Sequence, residues 1–177
     1  MDEMTKTTGL WAVAGAALLL LVLLPACRVT YGFRQGAIDP AIKTVSIPFF
    51  PNSATLVAPT LSSTLTDALQ DRFARQTKLQ LVRGELGDMA FEGEVIGYTT
   101  APSAISADEY SIRNKLTITV KVKFSNRLQP QYNFDRTFTA FTEYPTTQLL
   151  TDVEPTLIPE LCEMLVEDIF NAATSTW

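Results

Sequence analysis

The chain has no histidine among its 177 residues. That absence removes imidazole general bases, Ser–His–Asp triads and histidine metal ligands together. Cysteine is almost as scarce, with only Cys27 and Cys162. Basic charge is also short: 14 Lys and Arg stand against 19 Asp and Glu, a net charge of −5. Such a balance argues against bulk nucleic-acid binding. There is no G-x-S-x-G, P-loop or G-x-G-x-x-G pattern, so nucleophile-elbow and nucleotide chemistry have no foothold. No internal repeat or low-complexity block is present. Two carboxylate pairs remain, Glu92 with Glu94 on one strand face and Glu163 with Glu167 on one helix face. A glycosidase needs two carboxyls at a controlled separation across a cleft; solvated faces account for both pairs more simply. The chain therefore reads as a non-enzyme, with no metal and no dissociable cofactor.

What the chain does have is an unbroken apolar run from Leu10 through Leu24, ending in Pro25-Ala26-Cys27. A leucine three before a cysteine, with a small residue just before it, is how a bacterial lipoprotein signal peptide ends. Cleavage after Ala26 would leave Cys27 as the new N-terminus, carrying diacylglycerol and a palmitate-type acyl chain as its only covalent group. Each buried methylene contributes about 0.8 kcal/mol, and one chain alone binds marginally, so two or three chains make a lasting anchor. An uncleaved membrane helix is the alternative. Counted to Ala26 the stretch is 17 residues, at the short end of what spans a bilayer, and Lys6 is the only basic residue before it. Arg28 follows the cysteine, in place of the Asp that retains lipoproteins at the inner membrane, so the periplasmic side of the outer membrane is the expected location.

Three segments follow: a signal peptide at 1–26, a lipidated tether at 27–43 and a single domain at 44–177. Residues 27–177 keep 13 basic and 17 acidic side chains, net −4, and are numerous enough for one proper core. With Cys27 acylated no internal disulfide is available. Cys162 falls in an apolar helical pattern and reads as a buried, inert thiol.

Within the domain, 44–50 alternates with Val45, Ile47 and Phe49 on one face, and reads as a strand that lies at an edge or stops at Pro48. Leu61, Leu65, Ala68, Leu69 and Phe73 predict a helix ending near Gln76. Leu79 to Val82 is a second strand and Gly84 to Asp88 a turn. Residues 91–98 form a third strand with Phe91, Gly93, Val95 and Gly97 on one face. Residues 99–113 read as a polar loop. Leu116, Ile118, Val120, Val122 and Phe124 alternate with polar residues, predicting one buried and one wet, basic face. The last strand spans Phe134 to Phe141. Phe134, Phe138, Phe141 and Tyr144 read as core and edge packing, a partner-facing patch being the alternative. Leu161, Leu165, Ile169 and Ala173 predict a final helix from about Pro159, since Pro155 and Pro159 discourage an earlier start. One sheet with both helices on one face buries every stripe. The fold class is α+β, a two-layer sandwich with a mixed sheet of four to five strands; the helix between the first two strands allows them to be parallel.

Lys121 and Lys123 share one side of their strand, with Arg113, Lys115 and Arg127 near its two ends. A solvated, aggregation-blocking face is one reading. A site for phosphate or carboxylate groups of an acidic lipid or polysaccharide is the other.

Five stretches stand in this order: KTVSIPFFPN (43–52), PTLSSTLTDALQDRF (59–73), FEGEVIGY (91–98), NKLTITVKVKF (114–124) and LVEDIFNAATSTW (165–177). Together they resemble the LptE family of LPS-assembly lipoproteins, in particular its Bacteroidetes-type branch. The resemblance implies a noncatalytic, lipid-anchored plug within the outer-membrane β-barrel LptD, assisting barrel assembly and the passage of LPS to the outer leaflet. The strand face of Lys121 and Lys123, with Arg127, Arg113 and Lys115, is then the candidate contact for LPS; the resemblance does not itself assign those residues. A periplasmic lipid-binding lipoprotein auxiliary to a phospholipid-transport system is the second reading, and it would require an apolar cavity.

Overall fold

The structure is a computed structural model that describes residues 38–56, 58–84, 87–103 and 113–174. The expected signal peptide, Cys27 and most of the tether lie outside the described residues. All of those described belong to the unit Gln35–Trp177.

Among the described residues, five strands and two α-helices follow in the order β1 (Thr44–Ser46), α1 (Leu61–Gln76), β2 (Gln80–Val82), β3 (Met89–Pro102), β4 (Arg113–Asn126), β5 (Phe134–Pro145) and α2 (Leu150–Thr174). The sheet order is β2-β1-β3-β4-β5, with β1 parallel to both β2 and β3 and the other pairs antiparallel. The expected α+β sandwich with a mixed sheet is the fold observed. The stripes Leu61, Leu65, Leu69, Phe73 of α1 and Leu161, Leu165, Ile169, Ala173 of α2 are buried in one core with the alternating apolar residues of β3 and β4. A chain of aromatic contacts runs through it, Phe73 to Phe91 at 5.1 Å, Phe91 to Phe124 at 4.9 Å and Phe124 to Phe134 at 5.1 Å between ring centroids.

Several sequence-based expectations are corrected. The first strand stops at Ser46, short of Pro48, which cannot donate to a ladder; yet β1 lies inside the sheet, not at its edge. Past the proline the alternation breaks, so Phe49 is exposed and Phe50 is the buried ring. The Phe50 N–H donates to Thr66 Oγ1 of α1 at 3.1 Å, and its ring lies where a side chain at Gly93 would be. Beyond it, Val95 donates to the Pro51 carbonyl at 2.8 Å and Ser53 to the Val95 carbonyl at 2.9 Å. At that junction β3 has a bulge between Val95 and Gly97. One extra residue reverses the alternation, so Tyr98 points into the core (3% exposed) and Gly97 pairs with Thr119 on the open face.

The expected polar loop at 99–113 is shorter, because β3 continues to Pro102 and β4 begins at Arg113. Thr99 and Thr100 pair with Thr117 and Leu116 there. The last strand likewise extends to Pro145. The final helix starts at Leu150, nine residues before Pro159, and holds Pro155 and Pro159 within it. Four residues apart, both prolines lie on the exposed side, where water can satisfy the carbonyls their missing N–H groups leave free. The inner side is held by Ile158 and by Glu154, which accepts from the Tyr98 hydroxyl at 2.6 Å. Burial and Glu154 together push the Tyr98 phenol well above its ordinary pKa.

Candidate functional site: the open face of the sheet

The helices cover one side of β3, β4 and β5. The other side is built by cross-strand rows, because residues directly opposite on antiparallel strands project to the same face. The first row is Glu92, Lys123 and Asp135; the next is Glu94, Lys121 and Thr137. Gly97, Thr119 and Thr139 form the middle row, followed by Thr99, Thr117 and Phe141, then Ala101, Lys115 and Glu143.

Each predicted cation now has a position. Lys123 Nζ donates to both carboxylate oxygens of Glu92 at 3.2 Å. Lys121 Nζ lies 3.7 Å from Asp135 across the other strand. The wet face is therefore not simply basic; its lysines lie among carboxylates that neutralise them. Lys115 belongs to the far end, six residues and about 20 Å along β4 at roughly 3.4 Å per residue, with Nζ 5.2 Å from the centroid of the Phe141 ring. Arg113 starts the same strand opposite Pro145. The face thus brings Lys121 and Lys123 together and separates them from Arg113 and Lys115.

Arg127 is engaged elsewhere. Its guanidinium is 2.6 Å from Asp88, and its N–H donates to the Asp88 carbonyl at 2.8 Å. Asp88 also accepts from the backbone N–H of Lys43 at 2.9 Å, the backbone N–H of Thr44 at 3.1 Å and the Thr44 hydroxyl at 3.0 Å. The Lys43 amide and then the Arg127 guanidinium lower its carboxyl pKa to about 2. This clasp ties the start of β1 to the start of β3 and the end of β4.

Sequence reasoning missed the middle of the face. Thr117 and Thr119 of β4 stand between Thr99 and Gly97 on one side and Phe141 and Thr139 on the other, the Thr139 hydroxyl donating to Thr119 Oγ1 at 3.4 Å. A Cβ on Gly97 would come within 3.1 Å of Thr119 Cβ, so the centre is tightly packed and low in relief. The available signal was threonine at alternate positions of two segments, Thr117 with Thr119 and Thr137 with Thr139, beside the single Thr99 of β3. Phe141, expected to pack, is instead 55% exposed on this face, whereas Tyr144 is buried. Cys162 is fully buried as expected; burial and the nearby Glu163 charge push its thiol up to about 12. Among the described residues no group of three or more His, Cys, Asp or Glu is placed to hold a metal ion.

The geometry first defines a class: a two-layer α+β domain with one sheet face held by helices and the other left open. The chain belongs to the LptE family, whose model, described as lipopolysaccharide-assembly, matches residues 42–173. It is thus a lipopolysaccharide-assembly protein in the general sense of that family. No curated protein matches the chain. Among solved structures, a hypothetical protein from Chlamydia trachomatis is 12% identical, with 76% of this chain and 98% of that one covered and a TM-score of 0.50. A minor lipoprotein from Acinetobacter baumannii is 20% identical over 73% of this chain and 90% of its own, with a TM-score of 0.46. Rare lipoprotein B from Shewanella oneidensis is 12% identical over 76% and 96%, with a TM-score of 0.49. The first of these likenesses is one of fold alone, and nothing further rests on the other two.

Proposed function

We propose that this chain is an outer-membrane lipoprotein, cleaved after Ala26 and acylated on Cys27, whose domain sits in the lumen of an LptD-type β-barrel and assists LPS on its way to the outer leaflet. The family supports LPS assembly. The observation that carries the barrel reading is the open sheet face. A wide barrel has a polar interior and a lumen that needs filling. A face of hydroxyls, with Lys123 and Lys121 already matched to Glu92 and Asp135, can be set against such a wall without leaving those two lysines unpaired. Within this reading, the Lys121 and Lys123 end is where LPS phosphates or sugars would exchange with those carboxylates.

Affinity purification of the full chain from native envelopes in mild detergent tests the proposal. The expected result is co-recovery of a large β-barrel protein. Recovery of the lipoprotein alone, from membranes that still contain such a barrel, would count against it. The anchor has its own test: Cys27→Ala should accumulate as a precursor with residues 1–26 attached, read by intact mass. Normal processing and outer-membrane fractionation of that variant would refute the acylation.

A further inference from the structure

A cavity lies away from the open face, where the C-terminal ends of both helices meet the segment leading into β1. It is open to solvent and about 1030 Å³ in volume, a size typical of ligand pockets. Ile42, Leu79 and Phe170 give it apolar wall, and Arg72, Lys43 and Lys78 bring three cations to it. Two acids share the lining. Asp39 is already committed, accepting from the Ala41 N–H at 2.8 Å and the Gln129 amide at 2.9 Å. Glu167 forms an ion pair with Arg72 at 3.7 Å, too long for a hydrogen bond and largely exposed on the acid's side.

Cations near helix C-termini are stable in their own right, because they offset the negative end of the helix dipole. That explains the two lysines, which make no ion pair among the described residues. It does not explain Arg72. Its Nε is buried and has no hydrogen-bond partner, and its guanidinium carbon is 5.6 Å from the Phe170 ring centroid. A buried donor left unmade is costly. The guanidinium thus keeps one unmade N–H and only a long ion pair beside a cavity that is part apolar and carries one positive charge in excess.

We infer that this cavity binds an acyl lipid with a phosphate head, the phosphate engaging Arg72 with Lys43 and Lys78 and the chain lying along Ile42, Leu79 and Phe170. An oxyanion supplies the acceptors that the guanidinium lacks, and Arg is suited to gripping phosphate through two parallel N–H bonds. Free inorganic phosphate uses only half of such a site. The inference goes beyond the barrel reading and does not depend on it, because the titration below needs no barrel.

The test is calorimetric titration of the purified full-length chain with dodecyl phosphate, with dodecyl maltoside and inorganic phosphate as separate arms. Dodecyl phosphate should bind one to one, at least tenfold tighter than either control. Arg72→Met should weaken it at least tenfold, and Arg83→Met, at an exposed arginine outside the cavity lining, should leave it unchanged. Arg72→Met can be checked for folding by thermal melting. Should it unfold, the double variant Lys43→Met with Lys78→Met decides, because both side chains are exposed; it too should lose about tenfold. Short-chain phosphatidic acid and a phosphorylated glucosamine lipid then distinguish a glycerophospholipid from a saccharolipid source, and tighter binding of either supports the site. No saturable binding of dodecyl phosphate, or equal binding by folded variants lacking these cations, overturns the inference.

Discussion

The two faces of the sheet are made by the same three strands and obey opposite rules. On the covered face, Phe91, Val120, Val122 and Phe124 are at most 1% exposed and lie in one core with both helices. On the open face, Lys121 and Lys123 keep about half their surface and are matched by acids on neighbouring strands. The first face determines which strand register is stable, because a one-residue slip would bring charge into the core. The second is free to be specific, because little of the folding free energy depends on it. A domain of this kind can alter its recognition surface without losing its fold.

Deep truncation on the covered side is the most direct way to break that contrast. Phe91→Ala should cost about 3–5 kcal/mol, as large aromatic-to-alanine changes in cores do, since its ring contacts both Phe73 and Phe124. Phe141→Ala, the same chemical change on the open face, should cost less than about 1 kcal/mol, the scale of its exposed cation–π contact with Lys115. Urea unfolding of both variants gives the comparison. Equal losses would mean that the open face is structural after all.

The Asp88 clasp lies at the margin between the faces and sharpens the contrast through pH. Asp88→Ala should destabilise by about 3 kcal/mol, since hydrogen bonds to a charged acceptor contribute roughly 1.5–3 kcal/mol each. The folded pKa of Asp88 is depressed to about 2, below the ordinary carboxylate value of about 3.9. Its contribution is therefore complete above pH about 4 and is lost as pH falls towards 2. Wild type and variant should differ in stability at pH 6 and converge in acid. A gap that stays constant from pH 6 to pH 2 would show that the carboxylate charge is not what holds β1, β3 and β4 together.

These differences also show what was legible beforehand. The period-two pattern of β4 and the helical spacing of α1 were readable because each depends on its own residues and their burial. The first half of α2 was not, because Pro155 and Pro159 are locally unfavourable and only the exposed placement of both makes them tolerable. The continuation of β3 past Tyr98 was hidden by its threonines, which suit a strand but look polar in a single chain. The bulge at Val95 was hidden because it answers to the detour of another segment, from Pro48 to Asn52. The site suffered most. Lys121 and Lys123 were visible as a pair, but Asp135 is more than ten residues away in sequence, and only the register of β4 against β5 brings its carboxylate to Lys121.

A small change in stability accompanies the most informative test of the open face. Lys121→Glu combined with Lys123→Glu removes two exposed ion pairs and sets new carboxylates beside Glu92, Glu94 and Asp135. Exposed pairs contribute roughly 0.2–1 kcal/mol each, and like charges on adjacent strands oppose pairing on a similar scale. A loss of about 1–2 kcal/mol is expected, with the fold intact by circular dichroism. Binding should respond far more, because a wall or phosphate that replaces water at this face would bury unpaired negative charge, and leaving such a charge without a partner costs several kcal/mol. The double variant should therefore bind LPS weakly at low salt and recover less barrel protein from native membranes, while a Lys121→Met, Lys123→Met control falls between it and wild type. If the folded double variant binds LPS and recovers the barrel as wild type does, the lysine ladder serves only to keep the sheet soluble.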